Sequence, residues 1–336
     1  MMRPRLAFAM APSKTRFVFD DAALARLSEA CDVISPDPID DFSTPAARAI
    51  LHETEILVTG WGCPFISREV VAAAPRLRLI AHAAGTVKHH LDPAVFEAGI
   101  AVTNSAAANA VPVAEYTLAM IILANKQTFH FRDIYRADPG RGSSYALMDT
   151  PIGNHHRTVG VVGASHIGRR VVEFLAPFDF TVLLYDPYVH PSDEISQRAE
   201  LTELDELIGR SDIVSLHAPS LPSTWHMIGA RELRLMRDGA TLINTARGAL
   251  VDEAALITEL ETGRISAVID VTDPEIASPN SLLFRLPNVF LTPHIAGAVG
   301  SERSRLGNLV VEEIQRFVAG RPLQHQVHSA MLRQLA

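Results

Sequence analysis

Short apolar runs alternate along the chain with longer stretches in which apolar residues recur every three to four positions. Runs rich in Val, Ile and Leu at Leu6–Met10, Asp32–Ser35, Ile56–Thr59, Leu77–Ala81 and Ile100–Thr103 predict strands. Between them, Asp20–Ala30, Pro45–His52, Ser67–Ala74 and Pro93–Ala98 predict helices. A second series of strands is predicted at Thr158–Val162, Thr181–Tyr185, Ile213–His217, Thr241–Asn244, Ala267–Val271 and Val289–Leu291, again with helices in the gaps. Nearly continuous apolar strands separated by helices belong to parallel sheets covered on both faces. The expected fold class is α/β, with two doubly wound parallel-sheet domains.

The joint between the two series is Val111–Lys126, a long apolar helix candidate with one internal charge, Glu115. Gln127–Asn154 follows, with Phe129, Phe131, Tyr135 and Tyr145 set among Arg, Gly and Pro. A stretch of that length without strand pattern is unusual inside a compact domain. It reads as an arm lying on a partner, and the expected assembly is a homodimer.

Composition narrows the class. A length of 336 residues suggests roughly two domains. With 48% hydrophobic and 20% charged residues, the chain is not disordered. Thirty Lys and Arg against thirty-eight Asp and Glu leave a net charge of −8 and no basic run, so neither nucleic acid nor an anionic membrane is an expected partner. Two cysteines, Cys31 and Cys63, fit a reducing compartment better than a disulfide framework. No metal ligand set is predicted. The apolar run Leu6–Ala11 is followed at once by Lys14 and Arg16, and reads as a first strand rather than a signal segment. No stretch of about 20 predominantly apolar residues is read, so nothing is expected to span a bilayer. The expected location is the cytoplasm.

The first chemical signal follows the strand Thr158–Val162. Gly163-Ala-Ser165-His166-Ile167-Gly168 leads into a helix and is one substitution short of the dinucleotide fingerprint. In that fingerprint the first Gly makes the tight turn, the second lets backbone approach pyrophosphate, and the third lets helix and strand pack. The helix N-terminus then offers unpaired N–H groups and a partial positive charge. Ser165 stands at the second Gly, where a small side chain fits or its hydroxyl donates to phosphate. The next strand ends in Asp186, eighteen residues after Gly168, placed to accept from a ribose 2′-OH and to repel a 2′-phosphate. An Asp-Pro pair also serves as a strand-end turn, and that reading stays open. The cofactor expected is NAD.

Further motifs carry a family resemblance. They are Leu242-Ile-Asn-Thr245-Ala246-Arg247-Gly248-Ala-Leu-Val-Asp252, Ile269-Asp270-Val-Thr272-Asp273-Pro-Glu275, and Thr292-Pro-His294-Ile-Ala-Gly297. With the nucleotide turn, they make the chain resemble the D-isomer-specific 2-hydroxyacid dehydrogenases over roughly 51–307. The resemblance implies a Rossmann nucleotide domain at 107–297, with a dimerisation arm near 127–154. It implies a discontinuous, flavodoxin-like substrate domain at 1–106 and 298–336, to which the chain returns through a helix at Ser301–Ala319. It places the substrate-holding arginine on Arg247, where a planar, permanently charged bidentate donor suits a carboxylate. A surface Arg capping a turn is the plainer alternative. It places the acid–base on His294. The carboxylate that orients the imidazole falls on Glu275 by ungapped counting. Thr272 replaces the usual aromatic and Ile276 the usual Pro, so Asp273 is a rival.

The same resemblance puts the cofactor on Gly163, Ser165, His166, Ile167, Gly168, Asp186, His217, Ala218, Pro219, Thr245, Ala246, Arg247, Asp270 and His294. His217 is as much a structural candidate as a contact. The substrate contacts implied are Trp61, Ala84, Gly85, Thr86, Arg247 and His294. In the loop Ala83–Val87 the family's Arg is absent, and Trp61 is equally an ordinary packing residue. The activity implied is NAD-linked hydride transfer between a small D-2-hydroxy acid and its 2-keto acid, of the glyoxylate or hydroxypyruvate kind. Glu275 argues against formate, and the missing Arg disfavours a phosphorylated substrate. The alternative is an NADH-sensing, corepressor-like binding protein of the same fold; the short stretch after Gly320 favours an enzyme.

Overall fold

The computed structural model describes residues 3–35, 37–88, 90–139 and 142–333. Residues 1, 2, 36, 89 and 334–336 of the expected substrate domain, and 140–141 of the expected arm, lie outside the described residues. The chain divides into two compact units, one of residues 1–109 with 298–336 and one of residues 110–297.

The first unit holds a five-stranded, all-parallel sheet. Its strands are β1 (Arg5–Ala9), β2 (Asp32–Val33), β3 (Ile56–Thr59), β4 (Leu79–His82) and β5 (Ala101–Asn104), in the order β2-β1-β3-β4-β5. Side chains alternate between the two faces of a strand, and the core divides accordingly. Ala7, Ala9, Leu57, Ile80 and Val102 pack in one buried cluster. Leu6, Phe8, Ile56, Val58, Leu79 and Ala81 pack in another, with Val310, Val311 and Ile314 of the helix Ser304–Val318. That helix can approach because Gly307 has no side chain: a Cβ there would lie 1.9 Å from the carbonyl oxygen of Val18.

The second unit holds a seven-stranded parallel sheet. Its strands are β6 (Thr158–Val162), β7 (Thr181–Tyr185), β8 (Glu200–Leu201), β9 (Ile213–Leu216), β10 (Thr241–Asn244), β11 (Ser266–Ile269) and β12 (Val289–Leu291). The order β12-β11-β10-β9-β6-β7-β8 is doubly wound, with its topological switch between β6 and β9. Ligands of such sheets bind outside the carboxyl ends of the strands at the switch.

The α/β class with two parallel sheets is as the hydrophobic pattern predicts. Several details differ. β8 and the helix Pro12–Val18 were not predicted, because a two-residue edge strand and a helix carrying Lys14, Thr15 and Arg16 show little apolar period. The expected arm contains two helices, Thr128–Ala137 and Gly142–Met148. The joining helix begins five residues early, at Ala106–Asn125. That helix corrects one expectation: 20 residues long, with a mean hydropathy of 1.5 over an 18-residue window, it is long and apolar enough by length and composition to cross a membrane. Its Ala114, Ile121 and Ala124 pack with Val159 and Val161 in the core of the second unit, which accounts for much of that apolarity.

Candidate active site

At the switch of the second unit, two chain turns meet with no room for side chains. Gly163 has φ +100°, and a Cβ on it would lie 2.6 Å from the backbone nitrogen of Ala218. A Cβ on Gly168 would lie 1.9 Å from the carbonyl oxygen of Gly163. Backbone therefore lines this place, as a diphosphate requires. Ser165 is the N-cap of the ten-residue helix His166–Leu175, and its hydroxyl oxygen accepts from the Gly168 N–H at 3.4 Å. The hydroxyl proton stays available for a phosphate oxygen. His166 is exposed and Ile167 half-buried at the helix start.

Asp186 does more than await a ribose. Its Oδ2 accepts from the N–H of Ala164 at 2.7 Å and its Oδ1 from that of Tyr188 at 2.9 Å. The carboxylate thus ties the end of β7 to the glycine turn, with lone pairs left for a hydroxyl. His217 is interior rather than a surface contact, at 2% exposed. Its Nε2 pairs with Ser215 Oγ at 2.9 Å, and burial lowers its pKa to about 3, so the ring is neutral. Its Nδ1 is buried with no hydrogen-bond partner among the described residues. Its backbone, with that of Ala218, borders Gly163, and Pro219 leads away from it.

Thr245, Ala246 and Arg247 follow β10. Thr245 is buried and its hydroxyl pairs with Thr117 Oγ1 at 3.0 Å; Ala246 is buried too. These two expected cofactor contacts are therefore packed inside, and their backbone shapes the loop. Asn244 clamps it, with Oδ1 accepting from Ala246 N at 3.1 Å and Nδ2 donating to Arg247 O at 2.9 Å. Arg247 donates from Nη1 to Ala246 O at 2.7 Å. Burial pulls its pKa down, and the nearby charge of Glu275 works against that. Gly248 is pressed against the next loop, since a Cβ there would lie 2.1 Å from the carbonyl carbon of Thr272.

The loops after β11 and β12 bring His294 and Glu275 together. His294 Nδ1 and Glu275 Oε1 are hydrogen-bonded, with side chains 43% and 57% exposed. Asp273 instead lies against Glu253, whose carboxyl is raised by burial. Thr272, unexpected in place of an aromatic, donates to Pro274 O at 2.8 Å and so closes the turn that carries Glu275.

Asp270 sits beneath the His294 loop. It is 1% exposed, and both its oxygens are committed to the His294 loop. Oδ1 accepts from Thr292 Oγ1 at 2.6 Å and Ile295 N at 2.8 Å, and Oδ2 from Ala296 N at 2.9 Å. Its carbonyl accepts from His294 N at 2.8 Å. Asp270 thus clamps the His294 loop. Tyr116 of the joining helix adds a further hold, 2.9 Å from Thr292 Oγ1. The clamp keeps His294 at φ +54°, a conformation that costs a non-Gly residue about 1–2 kcal/mol. Sequence reasoning quoted Asn244 and Thr292 within motifs without giving them a role, and missed Tyr116. Only Asn244, an Asn at a strand end, carries a local signal.

In the first unit the expected substrate residues fall in two loops at the same sheet edge. The register Thr59↔His82 sets Trp61 level with Ala84. Ala84 is buried, while Gly85 and Thr86 are half-buried. A Cβ on Gly85 would find only Asn109 Nδ2, at 3.9 Å. The N–H groups of Gly85 and Thr86 make no hydrogen bond among the described residues. Thr86 Oγ1 accepts from Lys88 N at 3.3 Å.

A glycine-cradled helix N-terminus at a Rossmann switch, with Arg, Glu and His on loops of the same sheet edge, defines a dinucleotide-binding α/β domain equipped for acid–base chemistry. Residues 118–296 match the D-isomer specific 2-hydroxyacid dehydrogenase, NAD binding domain, and the chain belongs to that family. Its relatives include a glyoxylate reductase of Korarchaeum cryptofilum, 34% identical over 83% of this chain and 85% of that protein. A D-3-phosphoglycerate dehydrogenase of Mycobacterium tuberculosis is 35% identical over 76% of this chain and 48% of its own length. The chain thus spans about half the length of the curated relatives of that kind. The NAD-complexed D-isomer specific 2-hydroxyacid dehydrogenase of Lactobacillus delbrueckii ssp. bulgaricus shares the fold, with TM-score 0.80, 24% identity and coverage of 97% of this chain and 100% of that one.

Proposed function

We propose that the protein is an NAD-dependent oxidoreductase interconverting a small D-2-hydroxy acid and its 2-keto acid, of the glyoxylate or hydroxypyruvate kind. The observation that carries this reading is the His294–Glu275 pair on loops of the sheet whose switch point holds the Gly163 cradle. That cradle fits NAD: backbone of Gly163, His217 and Ala218 meets there, and the N-terminus of the helix His166–Leu175 and Ser165 are there for the diphosphate. Asp186 would accept from a ribose hydroxyl of the cofactor. Bound NAD supplies or accepts the hydride.

Arg247 holds the substrate carboxylate and orients the keto oxygen as a charged, bidentate donor. With Nδ1 engaged by Glu275, Nε2 of His294 is the nitrogen that gives a proton to the keto oxygen in reduction and takes it from the hydroxyl in oxidation. Glu275 fixes the orientation of the ring. Gly85 and Thr86 offer free N–H groups for the substrate. The unit of residues 110–297 is the nucleotide domain and the other the substrate domain. The protein is a cytoplasmic homodimer assembled on the joining helix and the arm near 127–154, where Tyr135, Tyr145 and Met148 are exposed.

A screen of NADH oxidation over 2-keto acids tests the reading. Turnover of glyoxylate or hydroxypyruvate is expected, and His294→Asn should lower kcat by at least the roughly 10²–10⁴-fold typical of acid–base help while NADH still binds. Tight NADH binding without turnover of any keto acid would establish the corepressor-like sensor instead.

A further inference from the structure

The first unit has a switch point of its own, which the reading above leaves empty of charge. In the order β2-β1-β3-β4-β5 the switch lies between β1 and β3, where sheets of this order also bind ligands. The chain leaving β1 and the chain leaving β3 meet there, with Ala11 N donating to Trp61 O at 2.9 Å. They come so close that a Cβ on Gly62, at φ +81°, would lie 2.6 Å from that of Ala11.

Over this point stands Arg303. Its guanidinium carbon is 5.4 Å from the centre of the Trp61 ring and 5.9 Å from that of Phe17. Its Nε donates to Ala298 O at 3.4 Å. A second guanidinium, that of Arg16, lies 4.9 Å from the centre of the same Phe17 ring. No carboxylate pairs with either arginine among the described residues; the neighbouring Glu302 is turned to Val299 N, at 2.9 Å. Two permanent cations thus lie against one aromatic ring, with no paired carboxylate among the described residues, in a chain of net charge −8. Aromatic faces orient a guanidinium and leave its N–H edge outward, a geometry suited to carboxylate or phosphate.

Asn109 links this place to the expected substrate loop. Its Oδ1 accepts from Ala298 N at 3.0 Å, and its Nδ2 is the nearest group to the open side of Gly85. We infer that Arg303, stacked on Trp61 and assisted by Arg16, forms an anion subsite for a second negative group on the substrate, a distal carboxylate or phosphate. The inference rests on the dehydrogenase reading with Trp61 and Gly85 on the substrate side. It reverses the sequence argument against a phosphorylated substrate, because the second cation comes from Arg303 instead of the loop 83–87.

Two measurements test it. Reduction of glyoxylate, oxaloacetate and 3-phosphohydroxypyruvate is compared in wild type and Arg303→Met. The wild type should favour at least one dianionic acid by tenfold or more in kcat/KM. Arg303→Met should raise KM for that acid tenfold or more, with the glyoxylate KM within twofold. Loss confined to 3-phosphohydroxypyruvate assigns a phosphate, and loss shared with oxaloacetate assigns any second anion. Equal effects on all three acids would overturn the subsite. The second measurement needs no turnover. Trp61 and Trp225 are the chain's two tryptophans, so in a Trp225→Phe background the fluorescence reports Trp61. Titration with malonate and with inorganic phosphate should give a saturable change for at least one, lost in Arg303→Met and restored in part by Arg303→Lys. No saturable change with either probe, or one that survives Arg303→Met, rejects the subsite. An enzyme that reduces no keto acid yet shows the Arg303-dependent change keeps the subsite and rejects the dehydrogenase reading.

Discussion

Acidification should destabilise each unit through one buried histidine. His82, the last residue of β4, and His217, just after β9, are 1% and 2% exposed. Burial, with the neighbouring His90 at His82, lowers both imidazoles from 6.5 to about 3. Below pH 6.5 the unfolded chain binds a proton at each that the folded chain does not, so stability rises with pH in that range. The contribution is complete above pH 6.5 and is lost progressively as pH falls toward 3. At about 1.4 kcal/mol per unit, each histidine costs about 2 kcal/mol by pH 5. That is large beside a usual domain stability of about 5–15 kcal/mol. The two residues also sit beside the loops that matter most: His82 precedes the Gly85 loop and His217 borders Gly163.

Denaturant unfolding of wild type, His82→Asn and His217→Asn between pH 7.5 and 5, followed separately for each unit, checks this. Each variant should lose about 1.4 kcal/mol per pH unit of slope in its own unit, whatever its stability at pH 7.5. An unchanged slope, or a His82 or His217 imidazole that titrates near pH 6 in the folded protein by NMR, would refute the argument.

Three further outcomes follow from the site. Asp270→Asn leaves the Ala296 N–H facing another donor, a buried loss worth about 1–3 kcal/mol; kcat/KM should fall tenfold or more, and amide exchange at Ile295 and Ala296 should quicken. Gly163→Ala forces a Cβ into Ala218 and should abolish saturable NADH binding by fluorescence, with Ser165→Leu weakening it as well and Ser165→Gly tolerated. NAD(H) should be preferred to NADP(H) in kcat/KM, and Asp186→Ala should narrow the gap. Because Asp186 also holds the Ala164 N–H, that variant should raise KM for both cofactors.

The alternation of apolar runs was enough to read two parallel sheets, because strand and helix periods are local properties. The glycine turn after β6 was legible for the same reason: strand, glycines, helix and acid follow one another within a single unit of chain. The two-residue edge strand β8 and the helix Pro12–Val18 were not legible, since each buries too little to impose a period. Composition misjudged the joining helix, of which Ala114, Met120, Ile121 and Ala124 are buried in the core of the second unit.

What chain order could not decide is which side chains spend their hydrogen bonds on one another. Asp270 reads as a site carboxylate, yet folding turns both its oxygens onto the His294 loop. Tyr116 reads as one more residue of an apolar helix, yet it meets Thr292 across 176 positions. Counting along the chain left Glu275 and Asp273 as rivals; the loop closed by Thr272 sets Glu275, and not Asp273, against His294. Arg303 and Arg16 carry no motif at all. Arg303 meets Phe17 and Trp61 only because β1 and β3 are neighbours in the sheet and the chain returns to them after residue 298. Local periodicity is written in adjacent residues, whereas polar pairing depends on which distant segments packing brings within about 3 Å.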